Sequence, residues 1–248
     1  MAKTVLITGA TSGIGLATAR FLAKMGFSLI LTGRRDGRLS SIKKELSEFT
    51  DVVTLTFDVS VQSEVIAALS ELKNQPDVLI NNAGNAHGLS AIQDGDVTDW
   101  EKMLDINVKG LLYVSKQIIP GMITKGGGHI INIGSIAGKE VYPNGNVYCA
   151  SKHAVDAISQ GMRMDLNKNG IRVSSINPGL VHTEFSEVRF KGDKEKAENV
   201  YKGFKPLLPQ DIAEVIHFII TRPAHVNIAD LMILPTDQDS STIVNKNL

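Results

Sequence analysis

The sequence predicts an α/β fold built on a parallel sheet, and three observations carry that expectation. Short apolar runs, nearly continuous rather than alternating, fall at residues 4–8, 28–32, 52–57, 78–81, 129–133, 171–177 and 231–234. Strands covered on both faces have that pattern. Helical patterns lie between them at 14–25, 37–48, 61–73, 98–123, 147–168 and 210–221. Strand–helix alternation implies parallel strands joined by right-handed crossovers. Finally, a glycine cluster sits between the first strand and the first helix, where doubly wound folds place their tightest turn.

Length and composition narrow the classes. A chain of 248 residues, 43% hydrophobic, buries a full core as one domain over 1–248. Basic and acidic residues balance at 26 each, so no footprint for nucleic acid or an anionic membrane surface is expected. No run approaches the roughly 18 apolar residues of a membrane span. The single Cys149 forms no internal disulfide, which fits a reducing compartment, and a soluble cytoplasmic protein is expected.

The first turn reads Thr8-Gly-Ala-Thr-Ser-Gly-Ile-Gly15. Glycines let a phosphate approach backbone amides, and the helix N-terminus behind them adds partial positive charge. The spacing G-x-x-x-G-x-G departs from the more familiar G-x-G-x-x-G. Its position still predicts dinucleotide binding at Gly9, Ser12, Gly13, Ile14 and Gly15. The plain alternative is a turn that needs positive φ.

The second strand runs out into Leu31-Thr-Gly-Arg-Arg-Asp36. A site for NAD places a carboxylate there for the ribose 2′-hydroxyl. Here Gly33 is followed by Arg34 and Arg35, which suit a 2′-phosphate by charge and fork geometry. NADP is therefore expected. Asp36 near the ribose, or two merely solvated arginines, are the other readings. Asp58 and Val59 close the third strand, and Asn81-Asn-Ala-Gly84 closes the fourth. Asp58 is expected to accept from an adenine amino group. Asn82 and the small Ala83-Gly84 pair would let a flat ring lie against backbone. A helix cap at Asp58 and a simple turn at 81–84 remain as alternatives.

The sixth helical pattern carries Tyr148-Cys-Ala-Ser-Lys152. Residues four apart share one helix face. A phenol with a pKa near ~10 is a poor proton carrier at neutral pH. A neighbouring cation lowers that pKa, so the pair suits general acid–base work. The alternative is a surface pair packed along its stems. Cys149 between them reads as packed and inert. Residues 182–207, charged and outside the strand–helix rhythm, are expected to form a lid at the ligand crevice, or a surface excursion.

Taken together, Thr8–Gly15, Asn81-Asn-Ala-Gly84, Asn107, Ser135, Tyr148-x-x-x-Lys152 and Asn177-Pro-Gly179 resemble the short-chain dehydrogenase/reductase family, from residue 3 to about 240. The resemblance implies a Rossmann-type doubly wound domain with a seven-stranded parallel sheet, a small lid insertion, and hydride transfer between nicotinamide and a carbonyl or alcohol. It implies that Tyr148 is the acid/base. Lys152 would hold the nicotinamide ribose and depress the Tyr148 pKa. Ser135 would bind and orient the substrate oxygen, and Asn107 would anchor a water beside Lys152. Pro178, Gly179, Val181 and Thr183 would close over the nicotinamide, with the Val181 amide on its carboxamide. A strand-end cap at Ser135 and a core polar group at Asn107 are the competing readings. The resemblance also implies a homotetramer packed through helices 98–123 and 147–168.

Residues 178–193 and 222–238 resemble the NADP-dependent 3-hydroxy acid dehydrogenase branch, whose substrates include serine, L-allo-threonine and 3-hydroxypropionate or malonic semialdehyde. A short hydroxy acid needs a cation for its carboxylate. Arg189, in the expected lid, is the candidate, unless it pairs with Glu184 or Glu187 instead. The scattered His87, His182, His217 and His225 show no metal spacing, so no metal is expected. A reductase of another carbonyl (a 3-oxoacyl thioester, a sugar or a diketone) and a non-catalytic NADP-binding redox sensor are the competing functions.

Overall fold

A computed structural model describes residues 2–72 and 74–247. Lys73, the end of the third expected helix, lies outside the described residues, as do Met1 and Leu248. The strands are β1 (Thr4–Ile7), β2 (Ser28–Gly33), β3 (Val52–Thr56), β4 (Val78–Asn81), β5 (Gly128–Ile133), β6 (Ile171–Pro178) and β7 (Asp230–Ile233). They form one seven-stranded sheet in the order β3-β2-β1-β4-β5-β6-β7, every pair parallel. Strand order reverses between β1 and β4, where Val5 pairs with Val78. A crevice at the C-terminal strand ends follows from that reversal.

The apolar runs are continuous because both sheet faces are covered. Val5 and Ile7 face a core that includes Leu22, Leu29, Leu31, Ile216 and Ile220, packed by α1 (Gly13–Lys24), α2 (Asp36–Leu46) and α9 (Pro209–Ile220). Leu6 points the other way, into a second core with Leu79, Ile118, Met122, Ile130 and Val173. That face carries α3 (Gln62–Ser70), α5 (Leu111–Lys125) and α6 (Asn146–Leu166).

One expected helix is not a single helix. The pattern at 98–123 divides into α4 (Val97–Leu104), a π-helical turn Asp105–Gly110, and α5. Tertiary contacts set the widened turn. Asn107 is turned inward against the backbone of Asn85. Gly110 packs so closely on another loop that an added Cβ would meet Val59 Cγ2 at 2.9 Å. Such bulges concentrate at functional sites.

Residues 182–207 hold two short helices, α7 (Phe185–Arg189) and α8 (Lys194–Asn199). The excursion is pinned at its base, where Val181 bridges Leu207 and the Tyr201 hydroxyl donates to the Val181 carbonyl at 3.0 Å. Among the described residues, no helix is long and apolar enough to cross a membrane.

Candidate active site

The glycine loop shows why its residues are small. Gly9 and Gly13 adopt φ of +65° and +52°, a region that disfavours side chains. A Cβ on Gly15 would lie 2.4 Å from the Gly9 carbonyl oxygen. Gly15 is therefore packed beneath the loop and is not in the wall of the large cavity. Ser12 stands at the helix N-cap but does not cap it through its side chain; its hydroxyl accepts from Arg35 Nη2 at 2.7 Å. Among the described residues, no side chain thus caps the first turn of α1, where an anion would find N–H donors.

β4 locks this loop in place. The Asn82 side-chain amide donates to the Thr8 carbonyl at 2.8 Å and the Gly9 carbonyl at 3.2 Å. Thr8 Oγ1 accepts from the amides of Asn82 and Ala83. Asn82 lines the cavity while its side-chain donors serve the loop. Asn81, the other asparagine of the motif, is buried away from it and donates to Ser115 and Asn132.

At the end of β2, Arg34 and Arg35 line the cavity, and Asp36 accepts from Thr56 Oγ1 at 2.7 Å. The carboxylate that would favour a 2′-hydroxyl is turned to β3. Arg35 uses its fork on Thr11, Ser12 and Glu184. Arg34 donates to Asp58 Oδ2 at 3.2 Å. Burial alone would raise the Asp58 pKa, but hydrogen bonds from Ser60 and the Arg34 charge outweigh it and hold the carboxylate below its ordinary range.

The two ends of the crevice share one cavity of about 860 Å³. Its walls bring together Gly9, Ser12, Gly13, Ile14, Asp58, Val59, Ala83 and Gly84 with Ser135, Tyr148, Lys152, Pro178, Gly179, Val181, Thr183 and Arg189. Its size and donor set fit a dinucleotide with room for a small second molecule.

Tyr148 and Lys152 project from α6 and are both buried. Burial dominates both titrations. It drives the Tyr148 phenol well above its ordinary value, against the opposing Arg189 charge and a Ser135 hydrogen bond. It drives the Lys152 ammonium down to about 8. The expected depression of Tyr148 by Lys152 is not what this arrangement gives, because Lys152 Nζ turns to the Ile133 carbonyl at 2.9 Å. The Arg189 guanidinium lies over the phenol ring, its Cζ 5.0 Å from the ring centroid.

Ser135 begins a short 3₁₀ turn after β5, and its hydroxyl accepts from the Ala137 amide at 3.1 Å. It is thus a cap and a wall of the cavity at once. Asn107 is buried behind the cavity rather than in its wall. Its side chain accepts from the Asn85 amide at 2.8 Å and donates to the Asn85 carbonyl at 2.9 Å and Ser151 Oγ at 3.0 Å. Both Asn107 Oδ1 and Lys152 Nζ face Gly84, 3.2 and 3.6 Å from where its Cβ would be.

Arg189 pairs with neither Glu184 nor Glu187. Glu184 instead bridges Arg35 and Arg38 at 3.1 and 3.0 Å. Arg189 donates through Nη2 to the Tyr142 hydroxyl, and its guanidinium lies among the rings of Tyr142, Tyr148 and Phe185. Its Nε is buried without a hydrogen-bond partner among the described residues. Tyr142, Glu184, Phe185 and Gln238 also line the cavity and were not anticipated as site residues. Phe185 and Glu184 fall within the excursion already singled out by its position. Tyr142 and Gln238 carry no local signal. His182 stacks edge-on against Tyr201, and among the described residues no cluster could hold a metal ion.

A short chain dehydrogenase family model matches residues 3–194. The chain belongs to the short-chain dehydrogenase family. As a member it is an oxidoreductase, and its likeness to individual members extends over nearly the whole chain. It is 46% identical over 238 residues to the NADP-dependent 3-hydroxy acid dehydrogenase YdfG of Salmonella typhi, covering 94% of this chain and 95% of that protein. It is 44% identical over 243 residues to sulfoacetaldehyde reductase 2 of Chromohalobacter salexigens, covering 96% of each. The closed form of a serine dehydrogenase complexed with NADP+ superposes with a TM-score of 0.92 at 42% identity, covering 99% of this short-chain dehydrogenase and 100% of that chain.

Proposed function

We propose that this short-chain dehydrogenase interconverts a short 3-hydroxy acid and its 3-oxo form, with NADP(H) as cofactor and Tyr148 as the acid/base. The observation that carries the substrate class is Arg189. A half-buried guanidinium beside the phenol, with its Nε buried and unpartnered and no carboxylate paired to it among the described residues, suits the carboxylate of a short substrate. Serine, L-allo-threonine and 3-hydroxypropionate or malonic semialdehyde have the right charge and length. Sulfoacetaldehyde, for which one relative is named, likewise carries an anionic group on a short chain, which makes it the second substrate to try.

The bound cofactor supplies or accepts the hydride. The rest is work for the chain. Gly9, Ser12, Gly13 and Ile14 would hold the pyrophosphate at the uncapped start of α1. Arg34 and Arg35 would take the 2′-phosphate, and Asp58 and Val59 the adenine. Asn82, Ala83 and Gly84 would form the floor under the ribose and nicotinamide, with Gly15 supporting the loop from below. Pro178, Gly179, Val181 and Thr183 would cover the nicotinamide. Arg189 binds the substrate anion and so fixes the distance from the carboxylate to the carbon that reacts.

Ser135 donates to the substrate oxygen and orients it beside Tyr148. In the reducing direction Tyr148 gives its hydroxyl proton to that oxygen as negative charge develops; in oxidation it takes the proton back. A phenol held protonated by burial is suited to donation. Lys152 would hold the nicotinamide ribose, and Asn107 keeps the Asn85 backbone and Lys152 surroundings in place while anchoring a water for proton exchange.

We further assign a homotetramer in the cytoplasm. Supporting the assembly, Leu112 and Ile123 on α5 and Met164 on α6 are exposed apolar side chains on the two helices expected to pack against partner copies. The function is tested by incubating the purified protein with NADP+ and L-serine, L-allo-threonine or 3-hydroxypropionate, and with NADPH and malonic semialdehyde or sulfoacetaldehyde. Turnover of none of them, with NADPH bound, overturns the catalytic reading in favour of a sensor.

A further inference from the structure

Two guanidiniums just beyond β2, those of Arg35 and Arg38, already hold an anion that belongs to the chain. Glu184 Oε2 accepts from Arg35 Nη1 at 3.1 Å, and Glu184 Oε1 accepts from Arg38 Nη1 at 3.0 Å. Arg35 is the residue placed at the 2′-phosphate, and its other nitrogens are fixed on Thr11 and Ser12 of the glycine loop. Nη1 is thus the part of the Arg35 fork that is committed to the excursion rather than to the loop. Arg38, in the first turn of α2, was not anticipated as part of the site, and its only side-chain partner among the described residues is Glu184.

Glu184 stands at a junction. Thr183 before it lies against the glycine loop, its side chain 3.4 Å from where a Gly13 Cβ would be. Phe185 after it packs edge-on to Tyr148, ring centroids 5.6 Å apart. The same short segment continues through α7 to Arg189. The carboxylate therefore ties the excursion that carries Arg189 to the adenosine end of the cavity, through the charges a 2′-phosphate would seek. A phosphate brought to Arg35 and a carboxylate already there are like charges contending for the same donors.

We propose that Glu184 and Arg38 set the cofactor discrimination of this enzyme: Glu184 occupies the 2′-phosphate site as an internal competitor, and Arg38 is the second guanidinium of that site. The inference rests on the NADP reading above. Only a ligand with a 2′-phosphate can displace the carboxylate, so the competition lowers affinity for NADP(H) without touching NAD(H). Its displacement frees the start of the excursion from α2, which links the phosphate to the segment that bears Phe185 and Arg189.

The test uses adenosine fragments, which reach the arginines without the nicotinamide. Dissociation constants of 2′,5′-ADP and 5′-AMP are measured by calorimetry for the full-length protein, for Glu184→Gln and for Arg38→Leu. Two exposed ion pairs contribute about 0.2–1 kcal/mol each, so Glu184→Gln tightens 2′,5′-ADP by about two- to thirtyfold and leaves 5′-AMP unchanged. Arg38→Leu weakens 2′,5′-ADP and again leaves 5′-AMP unchanged. If Glu184→Gln binds 2′,5′-ADP equally or more weakly, Glu184 is not a competitor and the proposal fails. Equal tightening of both fragments also sinks it, because the effect then ignores the 2′-phosphate. Failure of the NADP reading itself is seen separately, as an unmodified protein that binds 2′,5′-ADP no tighter than 5′-AMP.

Discussion

Arg189→Met is the perturbation that separates the substrate assignment from the family chemistry. The thioether keeps an unbranched, flexible stem among Tyr142, Tyr148 and Phe185 while removing the guanidinium that lies 5.6, 5.0 and 5.8 Å from those ring centroids. The charge has no carboxylate partner among the described residues, so its removal strands no buried anion in the free enzyme. The loss then falls on the substrate. A hydrogen bond to a charged group contributes about 1.5–3 kcal/mol, which is a factor of roughly 10 to 150 in kcat/KM. The assay compares 3-hydroxypropionate with 1,3-propanediol, which replaces the carboxylate by an uncharged alcohol. We expect the full loss on the acid and less than about a threefold change on the diol, with NADPH affinity retained. An equal loss on both substrates would show that Arg189 shapes the cavity or tunes Tyr148 rather than binding the anion. No loss on the acid would remove the basis for the hydroxy-acid assignment.

Tyr148→Phe deletes the proton carrier and little volume; kcat should fall by about 10²–10⁴, while NADPH titrated by fluorescence binds nearly as before. Lys152→Ala should weaken both turnover and NADPH binding, because its ammonium is expected to serve cofactor and active site together; unchanged NADPH affinity would contradict that. Gly15→Ala places a methyl 2.4 Å from the Gly9 carbonyl and 2.5 Å from Asn82 Nδ2; since the carbonyl is backbone, we expect urea denaturation to show a loss of about 1–3 kcal/mol. His129 is buried with its Nε2 2.8 Å from Ser174 Oγ and its Nδ1 unpartnered among the described residues, and burial lowers its pKa to about 3. The unfolded chain protonates this histidine first, near pH ~6.5, so the folded state loses up to about 1.4 kcal/mol per pH unit as pH falls from there towards the folded pKa. His129→Asn should flatten stability against pH across that window, and a slope identical to that of the unmodified protein would refute the assignment.

The sheet was legible because parallel strands buried on both faces leave unbroken apolar runs, and Val5, Leu6 and Ile7 divide between the two cores as that rule requires. The glycine loop was legible because steric limits act locally: Gly9 and Gly13 need positive φ, and Gly15 needs to have no side chain. The break in helix 98–123 was not. Its cause is the inward Asn107 and the contact of Gly110 with Val59, both long-range, and neither leaves a helix-breaking residue in the turn beyond a tolerated glycine. The same limit hides Gln238. Its Oε1 accepts from the Leu180 amide at 2.8 Å, 58 residues away, and holds the loop after β6 from the C-terminal tail. Tyr142 reaches the candidate site from the loop before α6 and is recognisable only once Arg189 is seen on its hydroxyl.

The Tyr148-x-x-x-Lys152 spacing places two groups on one helix face, but it does not say which charge the phenol feels. Desolvation penalises the charged form of each, so burial alone moves the two pKa values apart, the phenol up and the ammonium down to about 8. What opposes the rise of Tyr148 is a cation from a different element: Arg189, over the ring, with Ser135 adding a hydrogen bond. If Arg189 also binds the substrate carboxylate, the two roles interact. An anion on the guanidinium offsets the positive charge that eases ionisation of the phenol, so substrate binding raises the affinity of Tyr148 for its proton. On that reading the phenol enters the reducing step protonated, whereas oxidation needs a proton acceptor and is not helped by the same shift. Arg189 would thus tie recognition of the acid to the protonation state of the residue that reacts with its oxygen. An uncharged substrate leaves the guanidinium charge unmatched, and for such a substrate the coupling is lost along with the anchor.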